Sequence, residues 1–268
     1  MILWEALQYG FMRNALLAGV LASIACGIVG ALVVVRKMSM ISGGISHAAF
    51  GGIGLGYLLG FDPLYGALAF TTASAVIMGF IRERMGISED SAIGIIWVTG
   101  MSLGVILIGL SPGYAPDLFS YLFGSILAVP SSDLIVMAVL DAVILVIVYF
   151  LYEEFLAVSF DEDFAKASGV PTERVYLILL SLVALTVVIL IRVVGVILVI
   201  AMLTVPAVTA LQFSRRLNEI MLLSSILSII FTVEGLWLSY IFNIPSGATI
   251  VLVSVVTFLL ASALKKIF

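Results

Sequence analysis

The segment SGGISHAAFGGIGLGYLLG, Ser42 to Gly60, places the only histidine of the chain, His47, at the start of an apolar, glycine-heavy stretch. An imidazole ligates metals and exchanges protons near neutral pH, and at membrane depth such a group is costly enough to demand a use. Ser46 precedes it, and Gly43 and Gly51 stand one helical turn to either side, so the pattern predicts open space around the ring. Glu234 and Asp141 interrupt other apolar runs and are the remaining pathway candidates, either as ligands or as neutral groups hydrogen-bonded inside a bundle. A stable zinc site takes about four Cys, His or carboxylate ligands. One histidine and one cysteine do not supply them, which argues against a tight structural metal. The set agrees better with a transit site, where few ligands let an ion leave and two copies of His47 across a symmetric dimer double the count. A second feature is VVGVILVIAMLTVPAVTA, Val193 to Ala210, in which Pro206 removes a backbone hydrogen bond and frees a carbonyl near Met202. Two readings stand: a broken helix lining a cavity, or a plain kink relieved by Thr204.

These residues require a membrane to be positioned in. With 63% hydrophobic and 10% charged residues and a mean hydropathy of +1.31, the 268-residue chain needs lipid as its solvent. A formal charge of -4 is too diffuse to point to nucleic acid. The single cysteine, Cys26, excludes an intrachain disulfide and reads as a small interior residue. No cleavable signal is expected, because the first apolar run is too long and ends in Arg36-Lys37.

The fold class expected is all-α, a polytopic membrane bundle of about nine spans (eight being the nearest alternative) forming a single transmembrane domain over 1–268. The spans are placed at Asn14–Val35, Ile45–Phe61, Pro63–Ile81, Ser91–Leu110, Asp133–Leu151, Arg174–Ile191, Val193–Gln212, Leu217–Ile241 and Gly247–Leu264. With the N-terminus outside and the C-terminus cytoplasmic, Arg36, Lys37, Arg82, Arg84, Lys166, Arg174, Arg215, Arg216, Lys265 and Lys266 fall inside, leaving only Arg13 and Arg192 outside. The apolar run Phe119 to Pro130 is too short to cross and is expected as a short helix or re-entrant piece on the outer side.

Two further patterns matter. Gly44, Ala48, Gly52, Gly56 and Gly60 recur every four residues, a narrow face for close backbone packing. The charged segment YEEFLAVSFDEDFAKASGVPTER, Tyr152 to Arg174, lies inside and is expected to hold a short helix from about Asp161 to Ser168, stopped by Gly169 and Pro171. It is either a solvated loop or a docking element whose apolar contacts are Phe160, Phe164, Ala165 and Val170, rimmed by Asp161 and Asp163.

Taken together, the residues resemble the membrane permeases of ATP-binding-cassette importers for zinc, manganese and iron. The resemblance is carried by Arg36-Lys37 followed by ISHAAFGGIGLG (Ile45–Gly56), EDSAIGI (Glu89–Ile95), LFGSIL (Leu122–Leu127), SFDEDFAKASGVP (Ser159–Pro171), the Val193–Ala210 run, and LSYIFNIPSGATIVL (Leu238–Leu252). It implies a homodimer or pair of related permeases in a cell membrane, with a cytoplasmic ATP-binding-cassette ATPase dimer on the segment around Asp161 to Gly169. It also implies an extracytoplasmic metal-binding protein on the outer loops Ser111–Asp117 and Asn243–Ser246, with a divalent ion as cargo and no resident cofactor. The histidine of the family's Asp-Ala-x-Ser-His element falls on His47. The aspartate does not carry over, because its position is Gly43, so Glu234, Asp141, water or backbone carbonyls would have to compensate. The remaining path and packing positions are Ser46, Gly51, Gly52, Gly56, Thr204 and Pro206. No glycine-lysine phosphate loop is present, so ATP hydrolysis is expected in a partner and the chain is not expected to be an enzyme. A stand-alone secondary transporter predicts inverted repeats and more buried charge than the sequence shows. An intramembrane enzyme would need a clustered catalytic set. An iron chelate or cobalamin-like cargo is an alternative that the Ser46-His47 pair disfavours.

Overall fold

The structure, a computed structural model, describes residues 8–84, 87–112 and 118–267. Every regular element among them is helical. The chain begins with α1 (Gly10–Val35), α2 (Ser39–Leu59), α3 (Pro63–Arg84) and α4 (Glu89–Leu110). A short piece follows, α5 (Leu118–Phe123) and a 3-10 turn at Ile126–Ala128, then α6 (Ser131–Phe150). Two short helices, α7 (Tyr152–Phe160) and α8 (Glu162–Ala167), lead to α9 (Thr172–Val194). After a 3-10 turn at Val196–Leu198 come α10 (Val199–Ala210), α11 (Leu217–Phe242) and α12 (Ser246–Ile267). The expected short helix within Phe119–Pro130 is present as α5 and its 3-10 continuation.

Local sequence sets the ends. Asp62 accepts a hydrogen bond from the Leu64 amide at 2.9 Å, with Pro63 in the first turn of α3, where its missing N–H costs nothing. Ser88 caps α4 by accepting from the Ser91 amide at 3.3 Å, and Glu89 and Asp90 add negative charge at the positive end of the helix. The helix therefore starts two residues before the expected Ser91.

Among the described residues, seven helices are long and apolar enough to cross a membrane: α1, residues Pro63–Ile81 of α3, α4, α6, α9, α11 and residues Ser246–Lys265 of α12. The expectation of nine spans thus resolves into seven such helices and two segments of another kind. α2 is 21 residues long, but glycines, serines and His47 dilute its hydropathy. Its residues from Ile41 to Gly54 are buried, His47 excepted, so protein surrounds it and an apolar lipid face is unnecessary. The seventh segment is broken: α9 ends at Gly195 (φ +78), and only the 12 residues of α10 resume the helix.

α9 is apolar on all sides and buried almost throughout from Leu179 to Val194, the pattern of a central helix. α2 packs on α3, α4, α9 and α10. The glycine stripe explains how closely. A Cβ built on Gly44 falls 2.7 Å from Ile93 Cγ2 of α4; one on Gly100 of α4 overlaps the backbone of Ala48; Gly52 and Gly66 of α3 each overlap the other's carbonyl. Without a hydrophobic drive between helices in lipid, such small-residue contacts supply the packing. Gly52→Val is expected to lower the stability of the detergent-solubilised protein by roughly 1–3 kcal/mol through overpacking. Gly94→Ala, where a Cβ meets nothing within 4 Å, is expected to be neutral or slightly stabilising. Thermal melting of the two variants beside the parent checks the contrast.

Candidate functional site

His47 lies half-buried on α2, one turn above Gly43. Its imidazole stacks flat on the indole of Trp97 from α4, with ring centroids 4.1 Å apart and planes within 7°. Nδ1 is buried without a hydrogen-bond partner. A Cβ at Gly43 would stand 3.2 Å from Ile200 Cδ1 of α10 and 3.8 Å from Trp97 Cζ3; one at Gly51 would stand 2.6 Å from Phe70 Cε1. The glycines beside His47 therefore do not open a void, as the sequence suggested. Aromatic and aliphatic side chains from neighbouring helices fill the space they leave. Ser46 is not aimed at His47, since its hydroxyl donates to the Gly43 carbonyl at 2.9 Å.

α10 brings Ile200 to this junction, and Thr204, one turn on, returns its hydroxyl to the Ile200 carbonyl. Pro206 frees the Met202 carbonyl, and Cys26 of α1 supplies the donor: its thiol hydrogen-bonds that oxygen. Cys26 is more than interior filler, and the kink is satisfied across helices as well as within its own.

The two acids lie elsewhere. Asp141 shares the buried face of α6 with Asp133, Met137, Ile144 and Val148, and both its carboxyl oxygens are buried without a hydrogen-bond partner. Glu234 is exposed on α11, in line with exposed Leu222, Ile226, Ile230 and Leu238. Neither α6 nor α11 is among the helices packed on α2. Among the described residues no group of three or more His, Cys, Asp or Glu could hold a metal ion, so one copy of the chain presents His47 with aromatic and aliphatic neighbours rather than with carboxylates.

Past the end of α6, α8 forms as its sequence dictates. Asp161 caps it by accepting from the Phe164 amide at 2.9 Å. Gly169, at φ +87, closes it with paired bonds from its own amide to Lys166 O and from the Val170 amide to Ala165 O. Ala165 is buried, while Phe160 and Phe164 are 91% and 68% exposed. Glu162 accepts from Arg36, just past α1, at 2.7 Å, fixing the short helix to the bundle. A cleft of about 300 Å³ between α3, α8 and α9 is lined by Glu162, Asp163, Lys166, Glu173 and Tyr176, among others. The preceding helix α7 was not expected from the sequence.

The sequence also gave no hint of a cluster at the far end of α9. Arg192 pairs with Asp133 at 2.8 Å and Asp62 at 3.2 Å, and lies 4.9 Å over the Tyr121 ring. Burial outweighs the lowering effect of Arg192 and pushes the Tyr121 phenol up to about 12. Beside it, Gly195 and Gly124, between α5 and the 3-10 turn, both at positive φ, pack backbone on backbone. Of the loops expected on the outer side, residues 113–117 lie outside the described residues.

A family model described as the ABC 3 transport family matches residues 8–265. The chain belongs to that family. Its members are membrane permease subunits of ATP-binding-cassette importers and are not themselves catalytic. The membrane protein slr2045 of Synechocystis is 46% identical over 98% of this chain and 93% of its own length. The manganese transport system membrane protein MntC of Listeria innocua is 37% identical over 95% of this chain and 91% of its own. The fold of this ABC 3 family chain matches PsaBC from Streptococcus pneumoniae in complex with Fab with a TM-score of 0.88, at 37% identity over 97% of this chain and 95% of that one. The chain is a multi-pass protein of the cell membrane.

Within the ABC 3 bundle, the Cys26 contact yields a test. Cys26→Val removes the donor and leaves the Met202 carbonyl unpaired inside the bundle, at a cost of about 1–3 kcal/mol. Cys26→Ser keeps a donor and is expected to retain most of the stability. Unfolding of both variants in detergent distinguishes the two outcomes.

Proposed function

We propose that this permease imports a divalent metal ion by alternating access, with His47 as a ligand that the ion meets in transit. Manganese is the first candidate, since the MntC relative carries that ion in its name; zinc and iron are the others. The observation that carries the reading is the imidazole itself: a half-buried ring inside the helix bundle whose Nδ1 has no protein partner. An isolated polar ring in such a place is expensive unless something polar or charged visits it.

On this reading the permease works as a homodimer, so that two copies of His47 face one path and supply ligands a single chain lacks. All nine segments cross the membrane, α2 and the broken Val196–Ala210 stretch included, with the N-terminus outside. Ten basic residues then lie inside, and Arg192, left on the outer side, is neutralised by Asp62 and Asp133. An ATP-binding-cassette ATPase dimer docks on the inner segment 152–173, gripping Phe160 and Phe164 beside Asp161 and Asp163, with Ala165 and Gly169 holding the shape of α8. An extracytoplasmic metal-binding protein delivers the ion to outer loops that include Asn243–Ser246. Nucleotide-driven movement of α8 reaches the path through rigid spans.

His47→Ala is expected to cut ATP-dependent manganese uptake into proteoliposomes by at least tenfold while the permease still co-purifies with its ATPase. Undiminished uptake of manganese, zinc and iron alike would remove His47 from the path. Reversing charge at both Asp161 and Asp163, or truncating Phe164 to Ala, is expected to separate ATP hydrolysis from uptake. Normal ATPase binding with normal coupling in these variants would overturn the docking assignment.

A further inference from the structure

We propose that Trp97 is a positioning residue for His47: its indole face, rather than a hydrogen bond, sets the plane in which the imidazole meets the ion. This rests on the transit role of His47. A metal-ligating histidine ordinarily donates its second ring N–H to a carboxylate, carbonyl or water, and that bond fixes the ring. Here Nδ1 is buried with no carboxylate or carbonyl of the protein as partner. The constraint on ring orientation comes instead from the stack, at 4.1 Å and 7°. Both nitrogens lie in the imidazole plane, so covering one face restrains the ring without blocking the edge through which it binds a cation.

Gly43 belongs to the same arrangement. A Cβ there would already touch Trp97 Cζ3 at 3.8 Å and press on Ile200 Cδ1 at 3.2 Å. A longer side chain has to displace one of them or turn away, so the small residue at 43 and the large one at 97 form a matched pair across α2 and α4. The stack also responds to the cargo. Once a divalent ion draws electron density from the imidazole, the ring is electron-poor, and its attraction to the electron-rich indole face grows. Trp97 thus favours the ion-bound state over the empty one.

The test is manganese uptake by the reconstituted permease–ATPase complex with Trp97 replaced by Phe, Leu or Ala. Trp97→Phe keeps an aromatic face and is expected to hold KM within about twofold. Trp97→Leu keeps bulk without a π face, and Trp97→Ala keeps neither; both are expected to raise KM roughly fivefold, with kcat and basal ATP hydrolysis little changed. If Trp97→Leu matches Trp97→Phe, the indole merely fills space and the proposal falls. If His47→Ala abolishes uptake while every Trp97 variant behaves as the parent, the positioning role fails and the transit role stands. If His47→Ala transports normally, the transit role fails first. A second measurement leaves position 97 intact: in a protein carrying Trp4→Phe and Trp237→Phe, Mn²⁺ is expected to quench Trp97 fluorescence saturably, and His47→Ala to abolish the saturable part. Unchanged saturable quenching without His47 overturns the proposal.

Discussion

The structure depends on how closely helix backbones can approach where no water is present to drive them together. In hydrocarbon, apolar side chains gain little by leaving lipid for one another, so association rests on van der Waals contact and on satisfying every backbone polar group. α2 meets both demands by dispensing with side chains along one line. Gly44 admits Ile93, Ala48 lies against Gly100, and Gly52 lies against Gly66, so α3 and α4 grip it from two directions. The result is a helix too polar and too small in its side chains to face lipid, carrying the only histidine of the chain at a position its neighbours hold rigidly.

The same accounting governs the broken segment. Pro206 and the break at Gly195 each disrupt the regular ladder, and the bundle answers with groups from other helices. The Cys26 thiol reaches the Met202 carbonyl, and Gly30 of α1 lies against the Leu203 carbonyl. At the end of α9, Gly124 and Gly195 share space that no Cβ could enter. Irregular backbone survives at membrane depth here because protein encloses it.

The course of the chain was largely legible in the sequence, because hydropathy and the Gly/Pro joints mark where helices start and stop. α8 was legible almost to the residue, since Asp161 and Gly169 are local signals that need no tertiary context. α2 was visible as a segment whose Gly/Ala stripe signals close packing, but which helices enclose it is a property of its neighbours. The site was legible only through His47. Trp97 looked like an ordinary aromatic in an aliphatic span; the sole available signal was that aromaticity, since nothing local says that α4 lays it across α2. Arg192 was noticed as a charge on the wrong side of the distribution. Its partners, Asp62 and Asp133, are distant in sequence, and only the assembled bundle brings them together.

The two phenylalanines flanking Asp161 have a consequence for the life of the chain before it does any work. Phe160, the last residue of α7, and Phe164, on α8, present exposed aromatic rings beside the Asp161 cap, the Gly169 turn and the Arg36–Glu162 pair. Such a patch attracts any apolar surface it meets, including another copy of itself. Whichever protein covers it binds the folded form and not the unfolded one, and so raises stability by mass action. On the docking proposed above, an orphaned copy is the form most exposed to aggregation and proteolysis, so the amount of permease that accumulates follows the amount of its partner.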